Sequence, residues 1–277
     1  MAYYQAMRDT MKDNLIKRIC AENASMFTGP GTNTYLIGHK DISLVDPGPL
    51  QENRLDKIVA DCGSNLKRVL VTHTHKDHSP GAAYLQKKYS LPVFGQRVQK
   101  DDGLQDKTFA PIRELFHGDL VETDEYTIET IHTPGHASNH LCFLVKESSC
   151  ILTGDHIMNG STVVIAPPDG DMSAYIDSLE LLKGYVFDKI GPGHGEFMDN
   201  PFQVIDWIIN HRMQRERKVL EKMKSSGVFK IEELLPLVYD DVDRRLFPLA
   251  IRSLEAHLRK LEKDGIVNKD QENWVLV

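Results

Sequence analysis

The stretch Thr72–Gly81, THTHKDHSPG, places His73, His75, Asp77 and His78 within six residues. It ends the segment LKRVLVTH, in which Val69, Leu70 and Val71 form the continuous apolar run of a strand buried on both faces. Alternate residues of an extended chain share a side, so His73 and His75 point the same way. The turn that follows lets Asp77 and His78 swing to a second position nearby. Three imidazoles and a carboxylate at this spacing suit a borderline cation such as zinc. A lone histidine is usually structural or solvated, but that reading does not account for the whole cluster.

Three more pieces sit at predicted strand ends in turns of small residues: TPGH with His136, TGDH with Asp155 and GPGH with His194. Glycine lets the backbone turn sharply, so each ligand-type side chain projects from a loop edge. Singly these motifs are weak. Their order after the first cluster is what makes the set specific.

Around them, short apolar runs alternate with helical patterns. TNTYLIG, ISLVDPG, LKRVLVTH, PVFG, TIETIHT and FDKIGPGH read as strands, and LCFLVKES with CILTGD reads as a hairpin. ENRLDKIVADC, AAYLQKKY and DMSAYIDSLELLK read as helices, the last with an Asp cap. Strands with helices between them predict an α/β fold. Pro201 opens a long helical pattern to about Ser225, followed by the short helix KIEELLPLVY. In LFPLAIRSLEAHLRKLEK, Phe247, Ile251, Leu254, Leu258 and Leu261 repeat at helical spacing. IVNKDQENWVLV then reads as a hairpin, and helices followed by a hairpin make a winged-helix pattern. The predicted division is a catalytic domain over 1–200 and a linker helix with a winged helix over 201–277.

Composition narrows the class. A 41% apolar and 26% charged chain is ordinary for a soluble globular protein. No run approaches the roughly 18 apolar residues of a membrane span, and the first 20 residues lack the apolar core of a secretory signal. The four cysteines are scattered without CxxC spacing, so a cytoplasmic location with reduced thiols is expected, with Cys142 and Cys150 as a conceivable pair across a hairpin. The net charge is −7, and from Arg212 onward 14 basic residues face 12 acidic ones. The preceding part is thus acidic, without the basic stripe of a dedicated nucleic-acid binder.

The order HxHxDH, His, Asp, His resembles the metallo-β-lactamase superfamily over about residues 25–200. The resemblance implies a four-layer αββα sandwich with the site at one edge. It implies two zinc ions, with iron or manganese as alternatives: His73, His75 and His136 on one, Asp77, His78 and His194 on the other, Asp155 bridging. A hydroxide shared by two metals would be the nucleophile, and Asp77 would orient it or receive a proton. Asp46, in LVDPG, resembles a supporting position behind the ligands, though an Asp before Pro47 also suits a turn. His156 is expected on the loop surface, His132 and His140 as structural, and His211 as a candidate to approach substrate. Arg212, Arg215 and Arg217 read as a solvated helix face. GPGTN, residues 29–33, resembles an entrance loop but also suits a turn before a strand.

Within the superfamily, the Asp at 155 argues against the common zinc β-lactamases, which use a cysteine there. GTNTYLIG, YIDSLELLK, HRMQRER and LEAHLRKLEKDG resemble the β-lactamase-like protein 2 group, which pairs the hydrolase domain with a winged helix and is reported to cleave single-stranded RNA. The leading expectation is a hydrolase of a small ester, thioester or lactone. An endoribonuclease is the alternative, and a non-catalytic metal-loaded interaction module the third. The expected partner is a small-molecule substrate, with RNA as the alternative. No membrane association is expected. The third winged-helix helix mixes Arg252, Arg259 and Lys260 with Glu255 and Glu262, which suits a lid or a homodimer contact better than major-groove reading.

Overall fold

The computed structural model describes residues 14–98, 103–225 and 227–277. One six-stranded sheet runs in chain order: β1 (Ile16–Cys20), β2 (Asn33–Ile37), β3 (Ile42–Val45), β4 (Leu66–Leu70), β5 (Val93–Gly95) and β6 (Arg113–Glu114). A second holds β7 (Leu120–Glu122), β8 (Thr127–His132), β9 (Leu141–Val145), β10 (Cys150–Gly154), β11 (Lys189–Pro192) and β12 (Met198–Asp199). Helices α1 (Glu52–Cys62) and α2 (Pro80–Tyr89) are the crossovers that make β3, β4 and β5 parallel. Helix α3 (Met172–Leu182), capped by Asp171 accepting from the Ala174 amide, does the same between β10 and β11.

Period-two alternation sorts the layers. Tyr35, Ile37, Val45 and Leu70 of the first sheet meet Ile128, Leu141, Phe143 and Leu152 of the second. The intervening residues face outward: Leu36, Leu44 and Val69 pack on Leu55, Ile58 and Leu85 of α1 and α2, and Cys142, Leu144 and Ile151 pack on Tyr175 and Leu179 of α3. Strands covered on both faces lose their polar face, which is why β2, β3, β9 and β10 are buried along their whole length. The result is the expected α/β four-layer sandwich.

Helix α4 (Pro201–Lys224) serves two cores: Ile205 and Ile208 pack on the second sheet, while Val219 and Met223 belong to the C-terminal core. That core adds α5 (Ile231–Val238), α6 (Phe247–Lys263) and a small sheet of β13 (Val228–Lys230), β14 (Val267–Asp270) and β15 (Asn273–Leu276). Trp274 fills it, with Leu234, Leu254, Leu258 and Leu261 around it. This is a winged helix.

Two expectations need correction here. Cys142 and Cys150 do not face each other: Cys150 pairs with Val145 in the hairpin register, the two thiols lie on opposite faces of the sheet, and both are free. Arg212 and Arg215 are not a solvated face. They are 4% and 8% exposed, and only Arg217 faces solvent. Their partners, the carbonyls of Val163 and Val238 and the carboxylate of Asp241, come from segments far along the chain. Sequence reading also missed β1, an edge strand paired with β2. Among the described residues no helix is long and apolar enough to cross a membrane.

Candidate metal centre

The four loops that carry the candidate ligands leave the C-terminal ends of strands β4, β8, β10 and β11, at one edge of the sandwich. Cross-sheet bonds close that edge: the Leu141 amide donates to the Thr72 carbonyl at 2.8 Å and the Asn33 amide to the Gly193 carbonyl at 2.7 Å. Seven side chains converge there in two groups whose ligand atoms lie within 4.8 Å of one another: His73, His75 and His136; Asp77, His78, Asp155 and His194.

In the first group His75 Nδ1 lies 3.1 Å from His73 Nε2 and 2.9 Å from His136 Nε2. In the second, His78 Nε2 lies 3.3 Å and His194 Nε2 3.2 Å from Asp155 Oδ1. The other oxygen, Asp155 Oδ2, faces His136 Nε2 at 3.6 Å. One carboxylate thus turns one oxygen to each group. Asp77 Oδ2 completes the second group, 3.3 Å from His194 Nε2 and 3.5 Å from His78 Nε2.

The surrounding residues fix which nitrogen points inward in four of the five rings, while the outer Nε2 of His75 has no partner among the described residues. His78 Nδ1 donates to Asp46 at 2.9 Å, His136 Nδ1 to the Val164 carbonyl at 2.8 Å, and His194 Nδ1 to the Gly31 carbonyl at 3.1 Å. His73 Nδ1 lies 3.0 Å from Thr72 Oγ1, which donates to Asp46 at 2.7 Å. With its far nitrogen committed as a donor, each of these rings has only the near nitrogen to offer a metal, the usual arrangement behind a metal-binding imidazole. His140 holds the backbone at Asp155: its Nε2 accepts from the Asp155 amide at 3.2 Å, and its Nδ1 lies 3.0 Å from Thr133 Oγ1.

Burial and neighbouring rings hold His73 well below its ordinary pKa, and burial with His136 pushes His75 down to about 3. These rings are neutral donors. In the second group burial works against the cation, but Asp155 and Asp77 outweigh it, holding His78 well above its ordinary value and raising His194 to about 10. Asp155 stays ionised, well below its ordinary value: burial opposes this, but His194 and His78 prevail.

The residues fit a pair of cations. Asp155 Oδ1 and His78 Nε2 are buried, face the centre and have no hydrogen-bond partner, a costly state that a cation removes. Five imidazoles and two carboxylates are the donor set of zinc-like metals. The glycines of the motifs leave room for it. A Cβ on Gly193 would stand 2.5 Å from Asp155 Oδ1, and one on Gly135 only 2.4 Å from the Tyr175 Cα.

Asp46 takes the supporting role, and Gly31 gives the GPGTN loop its purpose as the holder of His194. His132 braces a turn through the Ser138 carbonyl at 2.9 Å. His211 stands apart from the converging groups, stacked on Trp207 with ring centroids 5.5 Å apart. His156 is not on the loop surface: it is fully buried, edge-on to Tyr175 at 4.9 Å. The backbone turn that aims Asp155 into the centre carries the next side chain back into the protein. Sequence reading missed the carbonyls of Gly31 and Val164, because every residue has a carbonyl and nothing local marks these two.

Fold and centre together define an αββα protein built around a candidate two-metal cage. Residues 27–194 match the model of the metallo-beta-lactamase superfamily, and residues 231–274 that of the beta-lactamase associated winged helix domain. The chain belongs to the metallo-beta-lactamase superfamily, as a hydrolase with a candidate metal site. It is 32% identical over 267 residues to a beta-lactamase-like protein 2 homolog of Caenorhabditis elegans, covering 91% of this chain and 85% of the relative. An atrochrysone carboxyl ACP thioesterase of Aspergillus chevalieri is 30% identical over 241 residues, 82% of this chain and 74% of that one. A solved metallo-beta-lactamase family protein of Thermus thermophilus shares the fold, with a TM-score of 0.79 at 18% identity over 95% of this chain and 99% of its own.

Proposed function

We propose that this chain is a two-metal hydrolase, with zinc as the first candidate, acting on a small ester or thioester. The observation that carries it is the split of Asp155, whose two oxygens face two separate sets of ligand atoms. His73, His75 and His136 would hold one cation; Asp77, His78 and His194 would hold the other; Asp155 would serve both. Two divalent cations bound there would supply an acidified water and a Lewis acid for the substrate carbonyl.

The protein's own part is positional. Asp46, the Gly31 and Val164 carbonyls and His140 hold the ligands in one orientation. The Asp77 side chain is 30% exposed, against 0%, 4% and 10% for those of His78, His194 and Asp155. It is therefore the ligand placed to meet a water or substrate and to take up a proton as the acyl bond breaks.

Similarity to a thioesterase supports an acyl substrate over RNA. So does the state of α6, where Arg259, Lys260 and Lys263 are engaged by Glu255, by Glu216 and Asp264, and by Asp171, which leaves Arg252 as the exposed basic residue of this helix without an ion pair among the described residues. Cations neutralised at contact distance contribute little to phosphate binding. The test is metal content by mass spectrometry with turnover of a short acyl thioester, an aryl ester, a lactone and a single-stranded RNA, using His73→Ala as control. Acyl hydrolysis lost in the control supports the reading. Cleavage of RNA alone would replace it with an endoribonuclease, and a chain retaining no metal would end it.

A further inference from the structure

We infer that Arg212 and Ser253, from α4 and α6, are positioning residues for the ligand His136, so that the C-terminal part of the chain sets the affinity of the cation site it shares with His73 and His75. The inference rests on the two-cation reading.

His136 stands at the end of a chain of contacts. Its Nδ1 donates to the Val164 carbonyl at 2.8 Å, which turns Nε2 toward His75 Nδ1 at 2.9 Å and Asp155 Oδ2 at 3.6 Å. Val164 lies in a stretch, residues 155–171, that has no helix or strand of its own. Ladder hydrogen bonds therefore do not set its carbonyl; contacts from elsewhere must. On one side of Val164 the Val163 carbonyl accepts from the guanidinium of Arg212. On the other the Ile165 amide donates to Ser253 Oγ at 3.4 Å. Both holders come from beyond the sandwich, 49 and 88 residues along the chain.

Arg212 also reaches His136 by a second route. Its guanidinium carbon lies 5.4 Å from the centre of the Tyr175 ring. Tyr175 packs its backbone on Gly135, the residue before His136, and its hydroxyl donates to the His156 carbonyl, next to Asp155, at 2.9 Å. One buried cation thus grips the loop behind His136 and the aromatic ring that wedges the neighbouring ligand turns. A guanidinium does both through one rigid planar fork that also stacks on a ring, a geometry that the flexible point charge of a lysine does not reproduce.

The test uses the full chain in two backgrounds that each keep one cation site. His194→Ala disables the second group, and His136→Ala the first. Zinc affinity is measured by competition with a chromophoric chelator. In the His194→Ala chain, Arg212→Met should weaken the remaining ion by about 10–100-fold, the usual range for losing outer support of a metal ligand. In the His136→Ala chain the same change should weaken the ion much less, because it reaches that site only through Tyr175 and the turn after Asp155. Arg212→Lys should fail to rescue. Ser253→Ala, a near-isosteric change, should act in the same selective sense with a smaller effect, and it decides the matter if Arg212→Met does not fold. Equal weakening in both backgrounds would mean a general structural role and would overturn the inference. So would unchanged affinity in both. A wild-type chain that binds no second ion would overturn the two-cation reading, and the inference with it.

Discussion

Replacing Asp46 by Asn removes one charge and changes almost nothing in shape. Asp46 is 2% exposed and sits at φ 51°, a left-handed conformation that Asn tolerates. Its carboxylate accepts three hydrogen bonds: from the Thr72 amide at 2.8 Å, the Thr72 hydroxyl at 2.7 Å and His78 Nδ1 at 2.9 Å. In Asp46→Asn the remaining oxygen keeps the Thr72 amide, but an NH₂ group now meets the two donors bonded to Oδ2. Two donors cannot bond each other, so His78 must move its proton to Nε2, the atom that faces Asp155 and Asp77. The lost interaction is a buried hydrogen bond to a charged group, worth about 1.5–3 kcal/mol. At about 1.4 kcal/mol per tenfold, that is about a 10–100-fold loss of affinity for one cation. The expected result is one tight and one weakened ion, read by titration with zinc against a chelator, with circular dichroism unchanged. An Asp46→Asn chain that takes up two ions with wild-type affinity would refute the reasoning.

Removing metal with a strong chelator should abolish hydrolysis, and zinc should restore it; activity undiminished in metal-free protein would contradict the two-metal reading. Gly193→Ala should cost at least about 100-fold in turnover, because the added methyl stands 2.5 Å from Asp155 Oδ1 and small displacements at a reacting centre are that costly; near-normal kcat would show that the loop yields freely. Phe143→Ala, at the fully buried centre between the sheets, should destabilise the chain by about 3–5 kcal/mol in denaturant unfolding, and a smaller cost would mean that the sheets close over the gap. Burial pushes His257 down to about 4, with Glu216, Arg212 and Lys260 around it. The unfolded chain, with an ordinary histidine pKa, therefore binds the proton first, and stability present above about pH 6.5 is lost as the pH falls toward 4. From pH 7.5 to 5 this histidine alone should account for about 2 kcal/mol, a loss that His257→Leu should largely remove if its stability is compared at the two pH values.

Order along the chain was the part of this protein that the sequence could disclose. A metal cage needs particular side chains in particular turns, and four of the candidate ligands stand within six residues, with three more each in a short glycine-bearing motif. Alternating strand and helix patterns place those motifs at strand ends, and apolar periodicity predicts the layers, because burial against a neighbour imprints itself on every second or third residue. Charged residues carry no such imprint. Arg212 and Arg215 read as a wet face because their partners, the carbonyls of Val163 in a loop and of Val238 at a helix end, come near only in the folded chain. His156 reads as loop surface for the same reason, since the packing of Tyr175 and His140 gives it a place inside. The tertiary structure also decided which backbone carbonyls aim His136 and His194. Every residue offers a carbonyl, so only the path of the folded backbone can select one.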